Sequence, residues 1–104
     1  MINLVRMFAV SLVLISASHG GTGKSPLPEK GIIPDEVTAV KVAEAVFQPI
    51  FGADETTQYL PYHAQLKDGI WTVYGTLKPG SRGGTPQMNI QKKDGKVVEV
   101  WHSQ

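Results

Sequence analysis

The chain has no cysteine, which excludes a disulfide framework, a thiolate metal centre and a lipid-bearing N-terminal cysteine. It has no apolar run of the length a membrane-spanning helix needs, about 20 residues; the stretch from Met7 to Ile15 is much shorter. It has almost no net charge, with ten Lys and Arg against nine Asp and Glu. That balance argues against nucleic acid or an anionic membrane surface as the natural partner. Material for catalysis is equally scarce. The three histidines are His19, His63 and His102, and no pair has metal-ligand spacing within one element. Asp35 reads as a helix cap and Asp68 and Asp94 as turn residues, leaving only Asp54 without a local reason. No catalytic residue, metal ligand or cofactor is therefore predicted.

What is present begins with a secretory signal. Arg6, the apolar run Met7–Ile15 and the small residues Ser16-Ala17-Ser18 form the tripartite pattern of a cleaved export peptide, with cleavage expected after Ser18 or Gly20. This predicts a periplasmic or secreted protein with no stable membrane anchor after signal removal. Residues 1–20 are assigned to the signal, 21–31 to a flexible leader and 32–104 to a single domain. Without Arg6 the remaining nine basic residues balance nine acidic ones. Their distribution is uneven. Residues 29–55 hold six acids and two lysines, and residues 67–99 hold six basic residues and three acids, a dipolar pattern able to orient a protein partner. The mature chain of roughly 80 residues makes one domain, burying only about 60% of its unfolded surface.

Gly20-Gly-Thr-Gly-Lys-Ser25 imitates the end of a phosphate-binding loop. The first glycine of that motif would fall at Ser18, and Pro26 and Pro28 prevent the helix whose N-terminus would carry the phosphate. Nucleotide binding is excluded.

The organising element is the helical stretch from Ile33 to Gly52. At about 100° per residue, Ala39, Val40, Ala43, Val46, Phe47 and Ile50 gather on one side, with Val42 and Phe51 at the margins. An arc that wide predicts a helix embraced by a curved surface. Asp35 caps its start and Gly52 ends it, with Pro49 tightening the last turn. Ala53 to Pro61 reads as a polar loop with a short turn.

Two hairpins follow. Asp68-Gly69 between alternating runs is a two-residue turn, and it sets Leu66 against Trp71, Ala64 against Val73 and Tyr62 against Gly75 on an apolar face. His63 with Tyr74, Gln65 with Thr72 and Lys67 with Ile70 fall on the other. In the second hairpin a three-residue loop Lys93-Asp94-Gly95 with Gly95 left-handed sets Ile90 against Val98 and Met88 against Val100. Asn89 with Glu99 and Gln87 with Trp101 then face outward. Lys78 to Pro86 is a glycine-rich connection, mobile unless held. The predicted fold is α+β: one N-terminal amphipathic helix packed in a curved four-stranded antiparallel sheet in meander order.

Ile33-Pro-Asp-Glu, Ala43-Glu-Ala-Val-Phe-Gln-Pro-Ile-Phe-Gly52, Pro61-Tyr62, Leu66-Lys-Asp-Gly-Ile-Trp-Thr-Val-Tyr-Gly-Thr-Leu77, Gly83-Gly84 and Ile90-Gln-Lys-Lys-Asp-Gly-Lys-Val97 occur in order. Together they resemble the small bacterial immunity proteins of the nuclear transport factor 2-like fold, over about residues 32–101. The resemblance implies a cone-like α+β roll (nuclear transport factor 2/cystatin-like) that neutralises a cognate toxin protein, and it brings no catalytic residues.

The expected mechanism is stoichiometric binding by the non-core side of the sheet. Trp101, Tyr74, His63 and Ile70 stand there, with Arg82 on the adjacent loop, and aromatics and arginine are the usual anchors of interfaces. The alternative is a small-ligand-binding or isomerase-like protein using the cone interior, with Tyr62 and Tyr74 recruited as related folds recruit tyrosine.

Overall fold

The computed structural model describes residues 25–103. Residues 1–24, which include the expected signal peptide and the first part of the expected leader, lie outside the described residues. Helix α1 spans Glu36–Phe51 and a short helix α2 spans Ala53–Gln58. Four strands follow: β1 His63–Lys67, β2 Ile70–Tyr74, β3 Pro86–Gln91 and β4 Val97–His102. They form one antiparallel sheet in the order β1-β2-β3-β4, the expected meander, with α1 packed on one face.

The start of α1 is the cap its sequence predicts. The Asp35 carboxylate accepts hydrogen bonds from the Thr38 backbone N–H at 2.8 Å and from the Thr38 hydroxyl at 2.6 Å. These bonds favour the ionised form and hold the Asp35 carboxyl below its ordinary value of 3.8. A depressed folded value means that the cap contributes fully above the ordinary carboxyl range and is lost as pH falls through the folded value. Asp35→Asn keeps a capping oxygen but cannot titrate. It is expected to lower stability slightly at pH 7, by the contribution of the ionised cap, and to flatten the fall in stability below about pH 4, measured by thermal melts from pH 7 downward.

Ala39, Ala43 and Phe47 are the buried residues of α1. They follow an i+4 ridge that Phe51 continues, half-buried against the core. Each i+4 step drifts about 40° around the axis, so by the last turn Phe51 faces the sheet and Ile50 does not. Ile50, expected in the apolar arc, is 55% exposed. Pro49 lies inside the helix without ending it. Gly52 ends it at φ 93°, with its N–H donated to the Gln48 carbonyl.

The expected polar loop after Gly52 contains α2. The Gly52 carbonyl oxygen caps its first turn, accepting from the Thr56 N–H at 3.0 Å and from the Thr56 hydroxyl at 2.8 Å. Asp54 and Glu55 sit in that first turn, where acidic side chains suit the helix dipole. Buried Thr56 is locked from outside by Tyr62, whose hydroxyl donates to the Thr56 carbonyl at 2.9 Å.

The first hairpin has the expected register: His63↔Tyr74, Ala64↔Val73, Gln65↔Thr72, Leu66↔Trp71 and Lys67↔Ile70. Its turn has φ 51° at Asp68 and 77° at Gly69, the left-handed pair that a two-residue turn requires. The second hairpin departs from expectation at one end. Gln87↔Trp101, Met88↔Val100 and Asn89↔Glu99 hold, but Ile90 pairs with Val97 instead of Val98. Gln91 N–H donates to the Lys96 carbonyl and Gly95 N–H donates to the Gln91 carbonyl, each at 2.9 Å. The loop is therefore Lys92–Gly95, one residue longer than expected, and the extra residue reappears as a bulge at Val98. The Asp94 carboxylate accepting from Lys96 N–H at 3.0 Å fixes the longer closure.

The core joins Ile33, Ala39, Ala43, Phe47, Tyr62, Ala64, Trp71, Val73, Met88 and Ile90. Ile33 enters it because its N–H donates to the Lys92 carbonyl and that of Ile32 to the Lys93 carbonyl, so the segment before α1 docks on the second hairpin tip. Gly31 is buried there at φ 90°, and a Cβ on it would fall 2.4 Å from the Lys92 carbonyl oxygen. Leu66, on the core face of edge strand β1, is 45% exposed, whereas Ala64 two residues before it is buried. Edge strand β1 is closed to further pairing near its start, where Ala64 N–H donates to the Glu36 carboxylate at 3.1 Å.

Candidate binding face

The face of the sheet turned away from α1 carries no helix among the described residues. Its side chains lie in three cross-strand rows set by the pairing of β1, β2, β3 and β4. The first row is His63, Tyr74, Gln87 and Trp101, one residue from each strand. The second is Gln65, Thr72, Asn89 and Glu99. The third is Lys67, Ile70 and Gln91. Three of the residues that the sequence singles out, His63, Tyr74 and Trp101, thus share one continuous row. Ile70 lies four residues along β2 from Tyr74, about 13 Å away at strand rise, and belongs to the hairpin-tip end.

Within the first row the His63 and Tyr74 rings are 5.7 Å apart between centroids and tilted by 37°. His63 Nε2 lies 3.2 Å from the Thr76 hydroxyl, which donates to the Pro61 carbonyl at 2.6 Å. Gln87 donates its side-chain amide to Ser103 Oγ at 2.8 Å. Trp101 and Tyr74 are half-buried, with part of each ring reaching solvent. In the second row Thr72 donates to Asn89 Oδ1 at 2.7 Å. His63, Gln87, Thr72 and Asn89 are thus each held by a neighbour, which pre-organises the middle of the face.

Ile70 lines a cleft of about 370 Å³ between the two hairpin tips and the Glu29–Gly31 segment. Arg82 lines another, of about 280 Å³, with Gln58, Tyr59, Leu77, Lys78 and Ser81. This second cleft lies at the end of the sheet where β2 leaves and β3 begins, the end occupied by the His63–Trp101 row.

The glycine-rich connection is anchored. At one end Thr76 N–H donates to the Tyr59 carbonyl at 2.8 Å; at the other Ser103 N–H donates to the Thr85 carbonyl at 3.0 Å. Thr85 N–H donates to Ser103 Oγ at 2.9 Å, and the Thr85 hydroxyl accepts from Gly75 N–H at 3.0 Å. Gly84 is required for this knot, because a Cβ there would fall 1.9 Å from Ser103 Oγ and 2.5 Å from its backbone.

Two histidine and tyrosine positions differ from simple expectation. His102, which looks from sequence like part of a frayed tail, closes β4. Its Nε2 is 3.0 Å from the Glu55 carboxylate, and its ring stands edge-on to Phe51 and Tyr59, at centroid distances of 5.6 and 5.5 Å. This joins α2 to the far edge of the sheet. Burial, then the neighbouring Glu55, pushes the Tyr59 phenol up from 10.0. Tyr62 is 5% exposed, and burial, followed by Glu44, Tyr59 and Glu55, raises its phenol to about 12. Its hydroxyl is spent on the Thr56 carbonyl, and it points to the core face, opposite to Tyr74. The two tyrosines do not share a site. Where an interior pocket would lie, the fully buried Phe47, Met88, Ile90 and Val73 fill the space.

Among the described residues no group of three or more His, Cys, Asp or Glu could hold a metal ion. No described helix is long and apolar enough to cross a membrane. Over residues 38–104 the sequence matches the family described as NTF2 fold immunity protein. No curated protein and no solved structure matches the chain.

Proposed function

The chain belongs to the NTF2 fold immunity protein family, and from that premise we propose that it is an exported protein which neutralises a cognate toxin by stoichiometric binding. The observation that carries the reading is the row His63–Tyr74–Gln87–Trp101, running across all four strands on a face that no described helix covers. Rigid aromatics with a polar tip supply large contact area at low entropic cost. Dimensions extend the site. With strands about 4.8 Å apart and a rise of about 3.3 Å per residue, the flat face measures roughly 14 by 17 Å. A standard interface buries about 800 Å² on each partner. Contact must therefore spread to the ends of the sheet and beyond, where Arg82 stands on the connecting loop at one end and Ile70 at the hairpin-tip start of β2 at the other.

Export rests on the Arg6, Met7–Ile15 and Ser16–Ser18 pattern. A protein so routed meets a toxin acting in the cell envelope, such as a wall-degrading enzyme. The test is co-expression with the toxin encoded beside it, directed to the periplasm. The chain with its first twenty residues is expected to protect the cells, and mass spectrometry of periplasmic extract to show a mature N-terminus near residue 19 or 21. Protection only by cytoplasmic protein that retains Met1 would refute export.

A further inference from the structure

We propose that the cleft beside the β2–β3 connection is a carboxylate-binding site, and that it takes an acidic side chain of the toxin; the second half of this rests on the immunity reading above. The cleft has a volume of about 280 Å³ and is lined by Gln58, Tyr59, Leu77, Lys78, Ser81 and Arg82. Two of these are cations and none is an acid. The larger cleft at the hairpin tips sets Glu29 and Asp68 among its three lysines and so offsets most of its own charge.

The arrangement is built by the chain. Ser81 N–H donates to the Lys78 carbonyl at 3.0 Å, closing a turn over Pro79 and Gly80, with Gly80 at φ 83°. Proline fixes the first central residue of such a turn and glycine supplies the positive φ of the second. The turn carries Lys78 and Ser81 side by side at its two ends, and Arg82 follows directly. The opposite wall is the end of α2, whose Tyr59 carbonyl anchors Thr76. Among the described residues neither Lys78 nor Arg82 forms an ion pair, and both are exposed.

A planar guanidinium binds a carboxylate through two parallel N–H···O bonds. An ammonium and a hydroxyl beside it complete the coordination of one such group. A nucleic-acid backbone would need a longer basic stripe, and the chain as a whole carries a net charge of only +1. The cleft adjoins the end of the sheet that holds Tyr74 and Trp101. An acidic residue seated here would set the register of a partner lying across the aromatic row.

The test has two arms. In the first, ¹⁵N-labelled protein is titrated with N-acetyl-Asp-Asp-amide, with inorganic phosphate in parallel. Amide shifts confined to Gln58, Lys78, Ser81 and Arg82 are expected with the peptide, and Lys78→Glu/Arg82→Glu should remove them. Lys78→Gln/Arg82→Gln should weaken them at least about tenfold, with melting temperatures unchanged in both variants. Shifts spread equally over Lys67, Lys92, Lys93 and Lys96, persistence in the double glutamate variant, or an equal response to phosphate would overturn the carboxylate assignment. In the second arm the toxin is titrated with wild-type protein and with Lys78→Glu/Arg82→Glu. A loss of about 10–100-fold in affinity, shrinking at high salt, is expected. Equal affinity would overturn the cleft's part in the complex. Peptide binding with no toxin binding by wild type would leave the carboxylate site standing and refute the immunity reading instead.

Discussion

Trp71→Ala is expected to lose about 3–5 kcal/mol of stability, the range for truncating a large buried aromatic. Trp71 is 7% exposed and stands between Leu66 and Ile90 in the pairing of β2 with its neighbours. Its indole N–H donates to the Ile33 carbonyl at 2.9 Å, fastening the segment before α1 to the sheet. Alanine opens a cavity under that segment and leaves a buried carbonyl without its donor, which places the loss toward the upper end of that range. Domains of this size lie near the low end of the 5–15 kcal/mol range, so the variant should be largely unfolded. Trp71→Phe retains much of the volume but loses the N–H and part of the ring, so it should fold with an intermediate loss. Chemical denaturation measures both. A loss below about 1 kcal/mol for the alanine variant would contradict the assigned core face.

Changing Trp101 and Tyr74 to Ala should act in the opposite way, on binding and not on the fold. Both side chains are half-buried on the face turned away from α1, and neither belongs to the core cluster. Surface substitutions of this kind usually shift stability by less than about 1 kcal/mol. Interface anchors of these types cost about 2 kcal/mol or more each when truncated, roughly thirtyfold apiece in Kd. Together the two changes should abolish protection at ordinary expression levels while the melting temperature stays within a few degrees. Protection undiminished in the double variant would move the interface off this face.

The contrast between these variants rests on alternation along the strands, which is the part of the fold most legible in the sequence. Asp68-Gly69 admits one tight closure, and the polarity of the flanking residues agrees with only one register, so β1 and β2 could be paired from residues alone. The second turn is ambiguous for a physical reason. Lys92-Lys-Asp-Gly95 closes equally well as three or four residues, and Val97 and Val98 are both apolar, so hydrophobic pairing cannot say which one bulges. Helix α2 is hidden because its stability comes from tertiary contacts, Tyr62 on Thr56 and His102 on Glu55, across a stretch with no apolar period. Ile50 misleads because a helical wheel ignores the drift of the packed ridge.

The candidate face was partly legible in the same terms. Alternation places His63, Tyr74 and Trp101 on one side of the sheet, but their alignment in a row depends on Tyr74 pairing with Gln87 across the connection 75–85. No short turn sets that register. Sequence singles out Arg82 but not the cleft it lines with Lys78, since the far wall of that cleft is the end of α2.

The central claim, neutralisation by one-to-one binding, is tested most directly by titrating a fixed amount of the purified neighbouring toxin with the mature protein while following toxin activity. Activity should fall linearly and reach its floor at one equivalent, with the complex recovered intact by size exclusion. Toxin silenced by a small fraction of an equivalent would mean turnover, and toxin still fully active beyond several equivalents would mean no inhibition; either result contradicts the account.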